Sequence, residues 1–216
     1  MHKFKSNRLQ KVGSVVGCAG FIAMAVGVET GMLQPLDNAC FFWAEQHWTH
    51  AVKKIMKGVD HFLSPAHLLI AAILVGLFLI LLAALSKKTE TAIDLRCRAV
   101  LLFSVSACSY VLNTVLKHLF QRPRPLPGAH FSFPSDHAMM AFALFMTVAV
   151  ITIPYLHKRS LRLLILFVAA IVTAFIGLSR VYLGKHYLSD VIAGYFLTWF
   201  VLSVCRLAIA RVRAHR

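Results

Sequence analysis

Charged residues in this chain fall between long apolar runs rather than within them. Residues 12–28 are uncharged and follow Lys3, Lys5, Arg8 and Lys11. A helix crosses a bilayer with about 20 mostly apolar residues, so this run predicts a first span. Ala23-Met24-Ala25 resembles a signal cleavage site, but the run is longer than the usual apolar core of a signal. Residues 62–86 are the cleanest run, with Ser64-Pro65 as helix cap and first helical residue. Residues 99–116, 138–156, 163–179 and 191–205 predict four more spans. The last can continue past Arg206 if that side chain snorkels.

Residues 29–61 follow a different pattern. Phe41, Phe42, Trp43, Trp48, Val52, Ile55 and Met56 alternate with His47, Lys53, Lys54, Lys57 and Asp60, largely at spacings of three or four. That periodicity predicts an amphipathic helix at the membrane interface, a depth that suits aromatic side chains. It would serve as an anchor or as part of a lipid entrance. Lys87, Lys88, Arg96 and Arg98 surround a short polar loop before the third span. The segment 121–134 holds Pro123, Pro125, Pro127 and Pro134 and cannot be helical throughout. The predicted fold is therefore all-α, a polytopic membrane bundle of six transmembrane helices. An amphipathic helix occupies its first outer loop. It forms one integral-membrane domain over residues 1–216, with no internal repeat and no low-complexity segment.

Composition agrees: 59% of residues are hydrophobic and 14% charged, where a soluble domain has about a quarter charged. The net charge of +15 could suit nucleic acid, but the cations are scattered between apolar runs. They fit topology and attraction to anionic membrane lipid instead. Six spans put both termini on one side. Of the 23 Lys and Arg, 15 fall on the side of the termini and eight on the other. The positive-inside rule then places both termini in the cytoplasm. Five of the outer eight (Lys117, Arg122, Arg124, Arg180 and Lys185) lie in the segments that carry the candidate chemistry, which is thus extracytoplasmic. The five cysteines form no Cys-x-x-Cys pair, and four lie in or beside apolar runs. They read as buried small hydrophobes.

Three short pieces stand at span ends. In the first, six residues separate Lys117 from Arg124-Pro125. Arginine offers paired donors to phosphate oxygens and lysine a point charge. Alone, this piece is a snorkelling lysine and a solvated arginine. The second is Pro134-Ser135-Asp136-His137, where Ser135 can cap a helix whose free N–H groups bind an anion. The bland alternative is an ordinary capped helix with an interfacial histidine. In the third, five residues separate Ser179-Arg180 from His186, and three more separate His186 from Asp190. A carboxylate on one imidazole nitrogen leaves the other free as a nucleophile, although a structural salt bridge explains that pair alone. Polar groups at membrane depth are costly unless they act. Together the three pieces point to a site that holds a phosphate and attacks it.

The conjunction resembles the type 2 phosphatidic acid phosphatase superfamily of membrane lipid phosphatases. That family's pattern is Lys, six residues, Arg-Pro; then Pro-Ser-Gly-His; then Ser-Arg, five residues, His, three residues, Asp. All spacings match over residues 117–190. Arg122-Pro123 is set aside, because Arg124 alone stands six residues beyond Lys117. Asp136 stands where the family usually has Gly. The Pro-Ser-Asp-His form resembles the branch that hydrolyses undecaprenyl diphosphate, which implies a bacterial cell envelope and its plasma membrane.

The resemblance implies that His186 attacks phosphorus to form a phosphohistidine, with Asp190 orienting it. It implies that Lys117, Arg124, Ser135, Asp136 and Arg180 hold the phosphoryl group. His137 would protonate the leaving oxygen and later activate water. No metal and no other cofactor is implied. A metal site from His118, His130, His137 and His186 is the rival idea, and the nearby cations oppose it. The expected function is hydrolysis of a polyprenyl diphosphate, with undecaprenyl diphosphate as the first choice. The other enzyme readings are a phosphatidylglycerophosphate, phosphatidate or lipid A phosphatase and a lipid phosphotransferase. The non-enzyme reading is a lipid-phosphate transporter or binding protein.

Overall fold

The computed structural model describes residues 8–127 and 131–214. All regular structure in it is helical: α1 (Arg8–Glu29), α2 (Gln34–Gln46), α3 (His50–Phe62), α4 (Pro65–Leu85), α5 (Thr89–Phe120), α6 (Asp136–Tyr155), α7 (Arg159–Tyr182) and α8 (Leu188–Ala214). Six of these, α1 and α4 to α8, are long and apolar enough to cross a membrane. Helices are the natural solution there, because every backbone polar group is satisfied within the segment. The six-helix bundle expected from the apolar runs is the observed architecture.

Local chemistry sets several boundaries as expected. The Ser64 side chain accepts from the His67 N–H, and Pro65 opens α4. The last span continues past Arg206 to Ala214. Two boundaries differ. The expected single amphipathic helix is two, α2 and α3, broken near Trp48. Trp48 Nε1 donates to the Tyr182 carbonyl at 2.6 Å, and Tyr182 donates its hydroxyl to the His47 carbonyl at 2.9 Å. Thr49 then caps α3. The third span starts ten residues before the expected Ala99, so Arg96 and Arg98 lie in helix rather than beside a loop. Arg98 is buried. Its Nε donates to Asp94 at 2.6 Å, and it also donates to the Ile151 carbonyl. Asp94 accepts from Arg213 at 2.8 Å as well. This cluster ties the ends of α5, α6 and α8 together at the end of the bundle away from the three motif segments.

The span α6 is the central one, with half of its apolar window buried. A π-type turn, Phe142–Met146, interrupts it. Leu68, Ala72, Leu102, Met140, Leu144 and Ile176 join α4, α5, α6 and α7 in one apolar cluster. A second cluster, including Leu101, Val105, Ala143 and Val201, joins α5 and α6 to α8. The first span lies along α8. A Cβ at Gly17 would lie 2.6 Å from the Phe200 backbone nitrogen, so the absence of a side chain permits that approach, as small residues do between membrane helices. Leu74, Leu77, Phe78 and Leu81 of α4 remain exposed, as suits a surface in lipid. The five cysteines are free.

Candidate active site

Chain breakers and caps bring the three motif segments to one end of the bundle. Lys117 lies in the last turn of α5. That helix stops at Gln121, whose φ of 46° is left-handed and whose N–H returns to the Lys117 carbonyl at 3.0 Å. The prolines that follow prevent further helix. Ser132 closes the loop by donating its N–H to the Arg122 carbonyl at 2.8 Å and its hydroxyl to the Pro123 carbonyl at 3.0 Å. Phe133 is fully buried, with its ring centroid 4.7 Å from that of Phe120. The Phe133–Pro134 peptide is cis. The Ser135 N–H donates to the Asp190 carbonyl at 3.1 Å, which fastens the start of α6 to the start of α8.

His186 is buried just before α8. Its Nδ1 lies 2.7 Å from the Ser132 carbonyl oxygen. A carbonyl only accepts, so Nδ1 carries the proton and a neutral ring keeps its lone pair on Nε2. Nε2 faces inward, 3.4 Å from Asp136 Oδ1. Asp190 was expected to hold His186 directly, but its nearest oxygen is 3.7 Å from Nδ1. Its two oxygens are already engaged. Oδ2 accepts the Tyr187 N–H at 2.8 Å, and Oδ1 accepts from Arg122 at 2.6 Å. The helix begins after His186, so the two side chains meet as a 3.7 Å contact rather than as a hydrogen bond. Asp190 acts instead as a buried anchor of the turn that carries His186.

His137 and Asp136 open α6. Asp136 Oδ1 accepts the His137 N–H at 2.8 Å and lies 3.0 Å from His137 Nδ1. Its Oδ2 accepts from Lys117 Nζ at 3.2 Å. The side chain expected to assist phosphate binding is thus an anion among the cations, and its backbone N–H is what it can offer to phosphate. Ser135 stands at the cap position, but its side chain makes no capping bond. Ser135 Oγ and Arg124 Nε are buried and have no hydrogen-bond partner among the described residues. A buried donor left unpaired costs about 1–3 kcal/mol, so both suit a phosphoryl oxygen that arrives later. Arg180 is fully buried, with NH1 3.3 Å from His137 Nε2.

The structure therefore gathers Lys117, Asp136, His137, Arg180 and His186 in one connected set. Among the described residues, no three of His, Cys, Asp and Glu come together as a metal-ligand group. His130 of the rival metal set lies outside the described residues. A cleft of about 240 Å³ opens beside Lys117 and Asp136 between α4, α5 and α6, lined also by Pro65, Tyr110, Asn113 and Met140.

Three acidic and basic partners escaped the sequence reading. Arg122, set aside for its spacing, is buried. It pairs with Asp37 of α2 at 2.8 Å and with Asp190, and its guanidinium lies 4.2 Å from the Tyr187 ring centre. Burial alone would lower its pKa, but the charge of Asp190 and the hydrogen bonds it donates to both carboxylates outweigh that and raise it. Asp37 also accepts the Ser189 N–H at 2.9 Å and its hydroxyl at 2.6 Å. Asp60 of α3 pairs with Arg180 and Lys185, and its Oδ1 lies 3.2 Å from His137 Nε2. Burial pushes the Asp60 carboxyl up, but the hydrogen bonds and charges of Lys185 and Arg180 hold it below its ordinary value. One signal was available. The chain has eight acids against 23 Lys and Arg, so an aspartate near a span end is well placed to be held by a cation.

A profile described as the PAP2 superfamily matches residues 98–214, more than half of the chain. The chain belongs to the PAP2 superfamily. As a PAP2 protein it is a membrane lipid phosphatase, a hydrolase of phosphoric esters. Phosphatidylglycerophosphatase B of Bacillus subtilis (strain 168) is 29% identical over 188 residues, which cover 82% of this chain and 85% of that protein. The crystal structure of a transmembrane PAP2 type phosphatidylglycerolphosphate phosphatase from Bacillus subtilis superposes with a TM-score of 0.74. It covers 94% of this chain and 98% of that chain at 23% identity. The PAP2 fold is thus shared over nearly the whole length.

Proposed function

We propose that this PAP2 phosphatase hydrolyses a lipid phosphate by double displacement through a phosphohistidine at His186. The observation that carries the reading is the commitment of Nδ1 to the Ser132 carbonyl, which leaves the lone pair of the neutral ring on Nε2, 3.4 Å from Asp136 Oδ1 and thus beside the group that Asp136 shares with Lys117 and His137. Nε2 forms a bond to phosphorus as the ester bond to the leaving oxygen breaks. His137, protonated at Nε2, gives that oxygen its proton. His137 then takes a proton from water, and the water oxygen displaces Nε2 to release inorganic phosphate. Lys117, Arg124, Arg180, Ser135 Oγ and the N–H groups at the start of α6 stabilise the charge on the phosphoryl oxygens. Phosphoryl transfer depends mainly on such positioning and charge.

For the lipid, similarity over 82% of the chain to a phosphatidylglycerophosphatase supports a phosphomonoester of phosphatidylglycerol. The second reading, undecaprenyl diphosphate, is favoured by Asp136 in the Pro-Ser-Asp-His signature. The purified protein is expected to release phosphate from phosphatidylglycerophosphate with a higher kcat/KM than from undecaprenyl diphosphate in the same micelles. The reverse order makes the second reading the function. Transfer of the phosphoryl group to another lipid, instead of release, would make the protein a phosphotransferase.

The charge asymmetry supports a site on the extracytoplasmic face, with both termini in the cytoplasm. Pro127 is exposed in the loop after α5. With the native cysteines replaced, a Pro127→Cys variant is expected to react with an impermeant thiol reagent added to intact cells. Labelling from the cytoplasmic side alone would invert the topology and the site together.

A further inference from the structure

The carboxylate of Asp60 is not part of the motif segments, yet it lies among their cations. It comes from α3, which precedes the second span. One oxygen contacts Arg180 and lies 3.2 Å from His137 Nε2, and the other contacts Lys185. Arg180 turns its Nε and NH2 toward Ser179 Oγ, at 3.2 and 3.1 Å. The NH1 edge is therefore shared between Asp60, His137 and whatever enters the site.

The position of Asp60 relative to a substrate follows from the in-line geometry of displacement. His186 Nε2 approaches phosphorus from one side, and the leaving oxygen departs on the other. The group that protonates that oxygen must lie within hydrogen-bond reach of it. His137 Nε2 is that group, and Asp60 touches the same nitrogen. Asp60 thus lies beside the leaving group rather than beside the attacking nitrogen.

We propose that Asp60 is a specificity-determining residue whose carboxylate faces the leaving group and selects lipid phosphomonoesters over lipid diphosphates. The inference rests on the phosphohistidine reading above. A monoester leaves as an alcohol, which is neutral and can donate its hydroxyl to a carboxylate. A diphosphate leaves as a lipid monophosphate, which brings negative charge to the place where Asp60 stands. Arg180 and Lys185 alone would welcome that charge, and Asp60 offsets one of them. The side chain of Asp60 is 23% exposed, so solvent screens the repulsion in part. The discrimination remains, because a full charge a few ångströms away near a protein surface still shifts an equilibrium by about tenfold or more.

Farnesyl monophosphate and farnesyl diphosphate share one tail and isolate the leaving group. Phosphate release by the purified full chain in detergent micelles gives kcat/KM for each. Asp60→Asn is expected to raise the diphosphate-to-monophosphate ratio of kcat/KM by about tenfold, while Asp60→Glu keeps the wild-type ratio. Lys185→Gln removes a half-exposed cation that tempers Asp60, and it is expected to lower the ratio. An unmoved ratio in Asp60→Asn, including an equal gain or loss for both substrates, overturns the proposal. If Asp60→Asn does not fold, an unmoved or raised ratio in Lys185→Gln overturns it. If wild type hydrolyses neither lipid in a His186-dependent way, the phosphohistidine reading fails and the inference falls with it. Turnover with an unmoved ratio removes the inference alone.

Discussion

His186→Ala is expected to lower phosphate release by roughly 10³-fold or more, the scale on which loss of a covalent nucleophile is felt. The variant loses Nε2, the attacking atom of the proposed mechanism. Its fold has less at stake. The substitution deletes one buried ring and one hydrogen bond to the Ser132 carbonyl, while the turn stays anchored by the Tyr187 N–H on Asp190 and by the Ser189 bonds to Asp37. Thermal unfolding in detergent should therefore show a folded protein that does not turn over. Wild type quenched early with labelled substrate should carry acid-labile label on His186. Label on any other residue, or residual turnover within tenfold of wild type, would remove His186 from the role. Asp190→Asn is expected to lose activity by a different route. It weakens the pair with Arg122 and with it the turn that aims His186, so reduced stability should accompany the reduced rate.

The largest stability effect is expected at Arg122. This side chain is 9% exposed and bridges Asp37 and Asp190, both fully buried. Replacing Arg122 with Gln leaves two buried carboxylates without their cation. Breaking a buried pair from one side costs roughly 3–5 kcal/mol, and here one cation serves two anions. Arg122→Lys keeps the charge but not the fork that reaches both carboxylates, so it should fall between wild type and Gln. Asp37→Asn should make the second substitution less costly, because one of the stranded charges is then gone. A thermal-unfolding cycle over the four proteins measures that coupling. Additive effects would mean that Arg122 does not hold Asp37 in the way the 2.8 Å contact indicates. Activity should fall with stability, since the same network fixes the turn before α8.

The sequence by itself determined the bundle. Six apolar runs became six spans because bilayer thickness and backbone satisfaction leave little choice of structure. It also determined which side chains meet at the cradle. Lys117 and Arg180 close their spans while His137 and His186 open theirs, so the antiparallel succession of spans puts all four at one face of the bundle. Boundaries set by local chemistry, such as Ser64-Pro65, were legible for the same reason.

Only the tertiary structure decided the rest. The Trp48 and Tyr182 contacts that split α2 from α3 join residues more than 130 positions apart, and no local period encodes them. The length of α5 was hidden because Arg98 looks like a loop residue until Asp94 and the Ile151 carbonyl are seen beside it. The same holds for the site. Spacing singled out Arg124 and passed over Arg122, yet burial against Asp37 and Asp190 is what gives Arg122 its place. Spacing joined His186 to Asp190, but the late start of α8 gives the His186 proton to the Ser132 carbonyl instead. Asp60 carried no motif at all. Motif spacing reports which chain segments reach a face of the membrane. Which charges pair there is decided by desolvation and distance, and these exist only once the helices are packed.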